Sequence, residues 1–96
     1  MYFDAHSDIW CDVTTRRLNG ETNVFDRCHL ERMRKGGVEG SIFVIWVDPP
    51  YDVDYVKRTE QIMAAAKAEI AECQSFRIVH TYDEMMQANA DGKIYI

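Results

Sequence analysis

The sequence predicts an α/β fold in which four parallel strands are joined by three crossover helices. Two observations carry this prediction. Short apolar segments alternate with longer segments of helical periodicity, and residues 41–47 are almost continuously apolar and rich in β-branched and aromatic side chains. Strands covered on both faces have this composition, and parallel strands need a crossover between them. The 96 residues allow one compact domain, 1–96, and no second one.

The elements follow one another in the order β-α-β-α-β-α-β. Tyr2 to Ala5 is a short apolar strand that runs into polar residues, and the polar segment 14–23 is expected to be an exposed loop. Asp26 is placed to cap a short helix that ends at a glycine pair. The predicted helices are 27–35, 52–74 and 81–90, and the predicted later strands are 41–47, 76–79 and 93–96.

Two of these elements come with a predicted packing or end structure. Val56, Met63, Ala66, Ile70 and Cys73 recur at helical spacing and are expected to form the buried face of the longest helix. Thr81 and Glu84 have the spacing of a capping box at the start of the last helix. Trp46, inside the long apolar run, is expected in the core.

Composition excludes several classes of protein. Eleven Lys and Arg against 16 Asp and Glu give a formal charge of −5, which repels phosphate backbones and anionic lipid, so we expect neither nucleic acid nor membrane as a partner. No apolar run reaches the roughly 20 residues that span a bilayer. The three cysteines contain no C-x-x-C pair and are expected to be reduced thiols of a cytoplasmic protein.

A metal site is suggested at the end of the first strand. His6 and Asp8 are two residues apart, so on a strand they point to the same face, and imidazole with carboxylate suits zinc. Asp4 lies one step deeper. The pattern H-x-D is common, and a turn or helix-capping role for Asp8 stays open at this point. The adjacent pair Cys28 and His29 is a weaker alternative, because neighbouring side chains on a helix diverge by about 100°.

Two motifs in register add a resemblance to a known family. Asp4-Ala5-His6-Ser7-Asp8 resembles the D-x-H-x-D opening of the membrane (renal-type) dipeptidases, peptidase family M19 of the metal-dependent amidohydrolase superfamily. The segment 30–43, with its helix, glycine pair and second strand, is similar to the next part of that family at the expected distance. The resemblance continues more faintly to the segment 91–94 and so covers essentially the whole chain.

The resemblance implies a fold and an activity. The four strands would form half of a TIM-type β/α barrel, and the chain would be the N-terminal portion of a zinc-dependent dipeptidase that hydrolyses dipeptides at a site with two zinc ions. His6 and Asp8 would bind one zinc, and Asp4 would orient a ligand. Trp10 and Tyr51, which follow the first two strands, would contact substrate.

The resemblance also implies what the chain lacks. The family's bridging glutamate, further histidine ligands, substrate-binding arginine and catalytic aspartate would all follow Ile96, so no catalytic residue is assigned here. Glu31, Glu39 and His29 match none of these positions, and Glu39 is expected at the surface or in a loop. His80 follows the third strand at its carboxyl end, where it could line the mouth of the site, but it is expected to be a solvent-exposed loop residue.

Three hypotheses therefore remain. The chain is part of a dipeptidase that is inactive on its own, a non-catalytic half-barrel that associates with itself, or a small metal-binding protein that uses His6, Asp8 and Cys11. A half-barrel exposes two strand edges and an apolar inner face, so we expect a homodimer or a larger homo-oligomer.

Overall fold

The computed structural model describes residues 1–96 and contains one four-stranded parallel sheet. The strands are β1 (Tyr2–Ser7), β2 (Val38–Phe43), β3 (Phe76–Arg77) and β4 (Ile94–Tyr95). The helices are α1 (Ile9–Leu18), α2 (Leu30–Lys35), α3 (Tyr55–Glu72) and α4 (Tyr82–Ala90). A π-helical turn, Phe25–His29, leads into α2, and a 3₁₀ turn, Tyr51–Asp54, leads into α3. The predicted α/β class with parallel strands is confirmed.

The order of strands across the sheet is β1-β2-β4-β3. In a barrel, consecutive strands are neighbours; β1 and β2 follow that rule, but β4 lies between β2 and β3, so the order departs from it there. Phe76 and Arg77 of β3 pair with Ile94 and Tyr95 on the far side of β4. The sheet is consistent with part of a β/α barrel, and its two open edges are β1 and β3.

Helix α1 was not expected, because residues 14–23 were predicted to be an exposed loop. That prediction is wrong for residues 14–18, which complete α1. The β-branched run Val13-Thr14-Thr15 disfavours a helix locally, but Trp10, Val13 and Thr14 are buried, and their burial outweighs that preference. Tertiary packing therefore decides this segment.

Helix α3 buries a face that matches the predicted one only in part, since Ala66 and Cys73 are buried as predicted. Ile62, Ala65 and Ala66 are buried together with two charged residues, Arg58 and Glu69, and this face packs against α1. Of the residues expected to be buried, Val56, Met63 and Ile70 are exposed. The prediction failed because it followed apolar residues alone, while buried ion pairs and hydrogen bonds allow Arg58 and Glu69 to occupy the interface.

Side chains fix the start of α4, whereas α1 and α2 begin without a side-chain cap. Thr81 Oγ1 accepts from Glu84 N, and the Glu84 carboxylate accepts from Thr81 N, so the predicted capping box of α4 is confirmed. Asp26 is not the predicted N-cap, because the helical turn already begins at Phe25. Its carboxylate instead accepts from the hydroxyl of Ser75.

The core is small and lies between the sheet and the helices. Trp10 and Phe25 both pack against Phe43, with ring centroids 5.2 and 5.8 Å apart. Strand β2 ends at Phe43, four residues before the predicted end. Trp46 lies beyond this end and is 56% exposed, so the prediction that Trp46 belongs to the core is wrong. Only 18 of 96 residues are buried, which leaves large apolar side chains on the surface.

Candidate metal site

The side chains of His6 and Asp8 converge at the carboxyl end of β1. Nε2 of His6 lies 3.0 Å from Oδ1 of Asp8, and the two side chains are 63% and 55% exposed. His6 belongs to β1, whereas Asp8 stands outside it, at the position that precedes α1. The two side chains therefore meet across a strand-to-helix junction and not along a regular strand.

Asp8 occupies the N-cap position of α1 without capping the helix. Aspartate is among the best N-cap residues, because its carboxylate can accept from the free N–H groups of the first turn. Here the Asp8 side chain makes no such hydrogen bond, and its carboxylate turns toward His6. The carboxylate is thus free to serve as a ligand, and the capping alternative for Asp8 is not what this structure contains.

Asp4 contacts the backbone of His6. Its Oδ1 accepts a hydrogen bond from His6 N at 3.2 Å, and its backbone pairs with Ser41. The pairing of β1 with β2 is irregular between Asp4 and Ser7, so the residues on either side of this point do not simply alternate between faces. Asp4 fixes the backbone from which the His6 side chain projects, and its orienting role stays a prediction.

Cys11 lies near this pair but points elsewhere. It belongs to α1, and its thiol donates to the carbonyl oxygen of Trp46 at 3.1 Å. Burial, with smaller contributions from the carboxylates of Asp48 and Asp8, raises the pKa of the Cys11 thiol. No group of three His, Cys, Asp or Glu side chains in the chain is arranged to hold a metal ion.

Cys28 and His29 are engaged separately. His29 Nε2 lies 2.7 Å from Oδ2 of Asp12, whose Oδ2 also accepts from Arg16 Nε at 2.9 Å. Cys28 is partly buried against the apolar core. These contacts give His29 a structural partner in α1.

The two predicted substrate contacts lie in different surroundings. Trp10 is in α1 and not in a loop, and it is 4% exposed, packed edge-on against Phe43 and Phe76. Tyr51 opens the 3₁₀ turn and is 38% exposed, with the guanidinium of Arg58 3.7 Å from its ring centroid. The burial of Trp10 favours a core role, while Tyr51 is accessible. Their substrate-binding roles stay predictions.

Other charged residues singled out from the sequence lie away from His6 and Asp8. His80 is 79% exposed, with Nδ1 3.7 Å from the Glu84 carboxylate. Glu31 forms a surface pair with Lys35. Glu39 was expected in a loop but belongs to β2; its Oε1 accepts from the Tyr95 hydroxyl at 3.4 Å, and its buried Oε2 has no partner. The loop prediction for Glu39 is therefore wrong.

Comparison with known protein families shows which family the chain belongs to. The family model of the membrane dipeptidases, peptidase family M19, matches residues 1–96. The chain belongs to this family. No curated protein and no solved structure matches it. None of the helices of this dipeptidase-family chain has the length and apolar character needed to cross a membrane.

The donor atoms at the end of β1 fit the zinc chemistry expected of a dipeptidase. A tetrahedral zinc ion with ligand distances of about 2.0–2.1 Å separates two ligand atoms by about 3.3 Å. The observed 3.0 Å between His6 Nε2 and Asp8 Oδ1 is close to that separation. An imidazole nitrogen and a carboxylate are both ordinary zinc ligands, so the chemistry of the pair is compatible with two of the four positions, although without metal the two groups contact each other.

Proposed function

We propose that this chain supplies the first two zinc ligands, His6 and Asp8, of a dipeptidase with a binuclear metal site. The observation that carries the proposal is the convergence of these two side chains, with the Asp8 carboxylate free of the helix it precedes. Membership of the dipeptidase family supports the substrate class, a dipeptide. The carboxyl ends of strands in α/β barrels are where catalytic groups collect.

The residues of this chain act by holding and orienting. The Asp4 carboxylate holds the backbone N–H of His6, which restricts the direction from which Nε2 projects. The Asp8 carboxylate lies at the N-terminal end of α1, beside the imidazole. Zinc, when bound, lowers the pKa of a bound water and polarises the carbonyl to be attacked.

The 96-residue chain is proposed to be inactive by itself. His6 and Asp8 provide half of a tetrahedral coordination sphere, and no third His, Cys, Asp or Glu is placed to join them. A site with so few ligands binds metal weakly, because metal affinity depends on the number of preorganised ligands. The remaining ligands and the catalytic groups would come from a further segment of polypeptide that completes the barrel.

Metal titration tests the ligand assignment. Calorimetric titration of the purified chain with zinc should show weak binding that is lost in His6→Ala and in Asp8→Ala. His80→Ala is the matched control, because His80 is also an exposed histidine, at 79% against 63% for His6, and lies far along the chain. Equal zinc binding by the chain and by His6→Ala would remove the basis of the proposal.

The same titration separates the third hypothesis. A small metal-binding protein would bind zinc tightly at a stoichiometry of one, and Cys11→Ala would abolish that binding. We expect Cys11→Ala to leave zinc binding unchanged, because the thiol is bonded to the Trp46 carbonyl. A dipeptide assay with added zinc should show no turnover by the 96-residue chain. Turnover that disappears in His6→Ala would contradict only the proposed inactivity.

Self-association is a second function, favoured by the exposed apolar side of the sheet. Phe3 and Ile42 are 52% and 51% exposed, and the Phe3 ring stacks against Tyr95 with a centroid distance of 6.2 Å. With open edges at β1 and β3, this face would be covered in the isolated chain by a second copy.

We also propose a cytoplasmic location, since all three cysteines are free thiols.

Sedimentation velocity at micromolar concentration tests the association. The chain should sediment as a dimer or larger species, and Ile42→Lys should shift it toward monomer. Val53→Lys is the control, because Val53 is 92% exposed in the 3₁₀ turn and outside the sheet. A monomer at every concentration would overturn the self-association proposal.

A further inference from the structure

A second concave site lies beside α1, away from the apolar side of the sheet. The cavity has a volume of about 440 Å³ and is enclosed by the last turns of α1, the 3₁₀ turn and the first turns of α3. Its polar wall consists of side chains that can donate hydrogen bonds: Thr15, Asn19, Tyr51, Lys57, Arg58 and Gln61. Cavities of this size accommodate small organic ligands.

Arg58 is the buried charge of this cavity. The residue is only 3% exposed. Its Nη2 donates to Thr15 Oγ1 at 2.9 Å and to the Cys11 carbonyl at 3.4 Å. The Tyr51 ring covers one face of the guanidinium at 3.7 Å. These three contacts hold the planar group in a fixed orientation against α1.

No carboxylate of the chain neutralises Arg58. Arg17, in the same interface between α1 and α3, lies within 4.0 Å of two carboxylates, those of Glu69 and Glu72. Arg58 forms no ion pair, and its hydrogen bonds to the chain all come from Nη2. Nε and Nη1 donate to no group of the chain, and neither is a fully buried atom without a partner, so both can donate to an acceptor that enters the cavity.

The charge of the cavity wall is opposite in sign to that of the chain. Lys57 and Arg58 are its cations, and Asp54 is its one acid, with Oδ1 engaged by the backbone N–H of Lys57 at 3.1 Å. The wall is thus net positive in a chain of net charge −5. Leu18, Pro50 and Val53 add an apolar side to the same cavity.

We propose that this cavity binds a small organic carboxylate, with the carboxylate on Arg58 and Lys57 and an apolar substituent against Leu18 and Val53. An arginine presents parallel N–H donors that match the two oxygens of a carboxylate. The apolar wall favours an organic carboxylate over inorganic phosphate, which has no substituent to bury. The site uses neither His6 nor Asp8.

Titration of the ¹⁵N-labelled chain with N-acetylphenylalanine tests the proposal, since the Nε–H signal of Arg58 reports directly on the site. We expect a saturable shift of this signal and weaker, non-saturating shifts with inorganic phosphate. Arg58→Gln and Lys57→Gln should each weaken binding about tenfold, the loss expected for one charge-assisted hydrogen bond. Lys67→Gln, an equal change of charge on the exposed side of α3, should not weaken it.

The possible results separate the alternatives. Arg58 also joins α1 to α3, so a loss of binding in Arg58→Gln counts only if that variant folds. The exposed Lys57 variant and the Nε–H signal of the unaltered chain decide without it. Absence of a saturable shift at Arg58, or equal weakening by Lys57→Gln and Lys67→Gln, would overturn the proposal. Tighter binding of phosphate than of N-acetylphenylalanine would overturn the assignment to a carboxylate.

Discussion

Glu69 of α3 and Arg17 of α1 form a buried ion pair, with 2.7 Å between Glu69 Oε2 and Arg17 Nη1. The Glu69 side chain is fully buried. Its carboxylate also accepts from the backbone N–H groups of Val24 and Phe25, at 3.3 and 2.7 Å. The Glu69 side chain therefore caps the helical turn that begins at Phe25 and neutralises the charge of Arg17 in α1. It joins α3 to both of these elements.

Glu69→Gln should destabilise the fold strongly. The substitution keeps the size of the side chain but leaves the partly buried Arg17 with a neutral partner at this contact and weakens the acceptor for two backbone N–H groups. Breaking a buried pair by removing one partner costs about 3–5 kcal/mol; since Arg17 retains Glu72, we expect about 2–3 kcal/mol. Urea unfolding followed by circular dichroism measures the change. Glu60→Gln, on the exposed side of α3, is the control, and equal stability of the two variants would contradict the role of Glu69.

The lowered pKa of Glu72, three residues after Glu69, makes the stability of the fold depend on pH. Its hydrogen bond from Arg17, followed by the one from the backbone of Asn23, lowers the pKa of Glu72 below the ordinary value of 4.5. The unfolded chain therefore takes up the proton at a higher pH than the folded chain does. The stabilisation is present above pH 4.5 and is lost as the pH falls through the folded-state pKa.

Urea midpoints between pH 7 and pH 3 test this dependence. The midpoint should hold near neutral pH and fall below pH 4.5. In Glu72→Gln the fall should be shallower, because this carboxylate no longer titrates, whereas Glu60→Gln should leave the slope unchanged. An identical acid profile for the chain and for Glu72→Gln would show that the pair with Arg17 does not contribute.

Much of the framework was accessible from the sequence because it depends on local chemistry. The apolar run around Phe43 predicts a buried parallel strand, and the spacing of Thr81 and Glu84 predicts a helix start. The position of His6 and Asp8 at the carboxyl end of the first strand was accessible from the sequence, but the expected geometry was not. Asp8 lies outside β1, and the 3.0 Å approach of the two side chains depends on the strand-to-helix junction.

The remaining errors come from interactions between distant segments. As charged residues, Arg58 and Glu69 would be assigned to the surface, yet they are buried with partners in α1 and near Phe25, more than 40 positions away. The same partners determine which face of α3 packs against α1, and Met63 lies outside that face. Trp46 is exposed because β2 ends at Phe43. No local periodicity contains this information, and the cavity beside Arg58 was missed for the same reason.

Gly40→Ala should disrupt the centre of the sheet. Gly40 of β2 pairs with Tyr95 of β4, and a Cβ atom at position 40 would lie 2.0 Å from Cε2 of the Tyr95 ring. The ring is held by burial and by its stacking on Phe3, so it cannot swing away freely. Overpacking of this kind costs about 1–3 kcal/mol.

A double-mutant cycle with Tyr95→Leu isolates this contact. Leucine lacks the ring edge that meets position 40, so the loss of stability caused by Gly40→Ala should be smaller in the Tyr95→Leu background. Thermal unfolding of the four proteins gives the coupling. Additive effects of the two substitutions would mean that Gly40 is needed for a reason other than the approach of Tyr95.

Cys73, at the end of α3, should be the least reactive of the three thiols. The residue is 5% exposed, and burial raises the pKa of its thiol to about 12, whereas the thiolate is the form that reacts. Iodoacetamide at pH 8 should therefore modify Cys28 and Cys11, which are only partly buried, well before Cys73. Peptide mapping by mass spectrometry gives the three rates.

Because the Cys73 thiol lies 3.6 Å from Glu69 Oε1, Glu69→Gln should open this region and speed the modification of Cys73 selectively. Equal rates at Cys73 and Cys28 in the unaltered chain would contradict the packing of α3 against the segment that begins at Asn23.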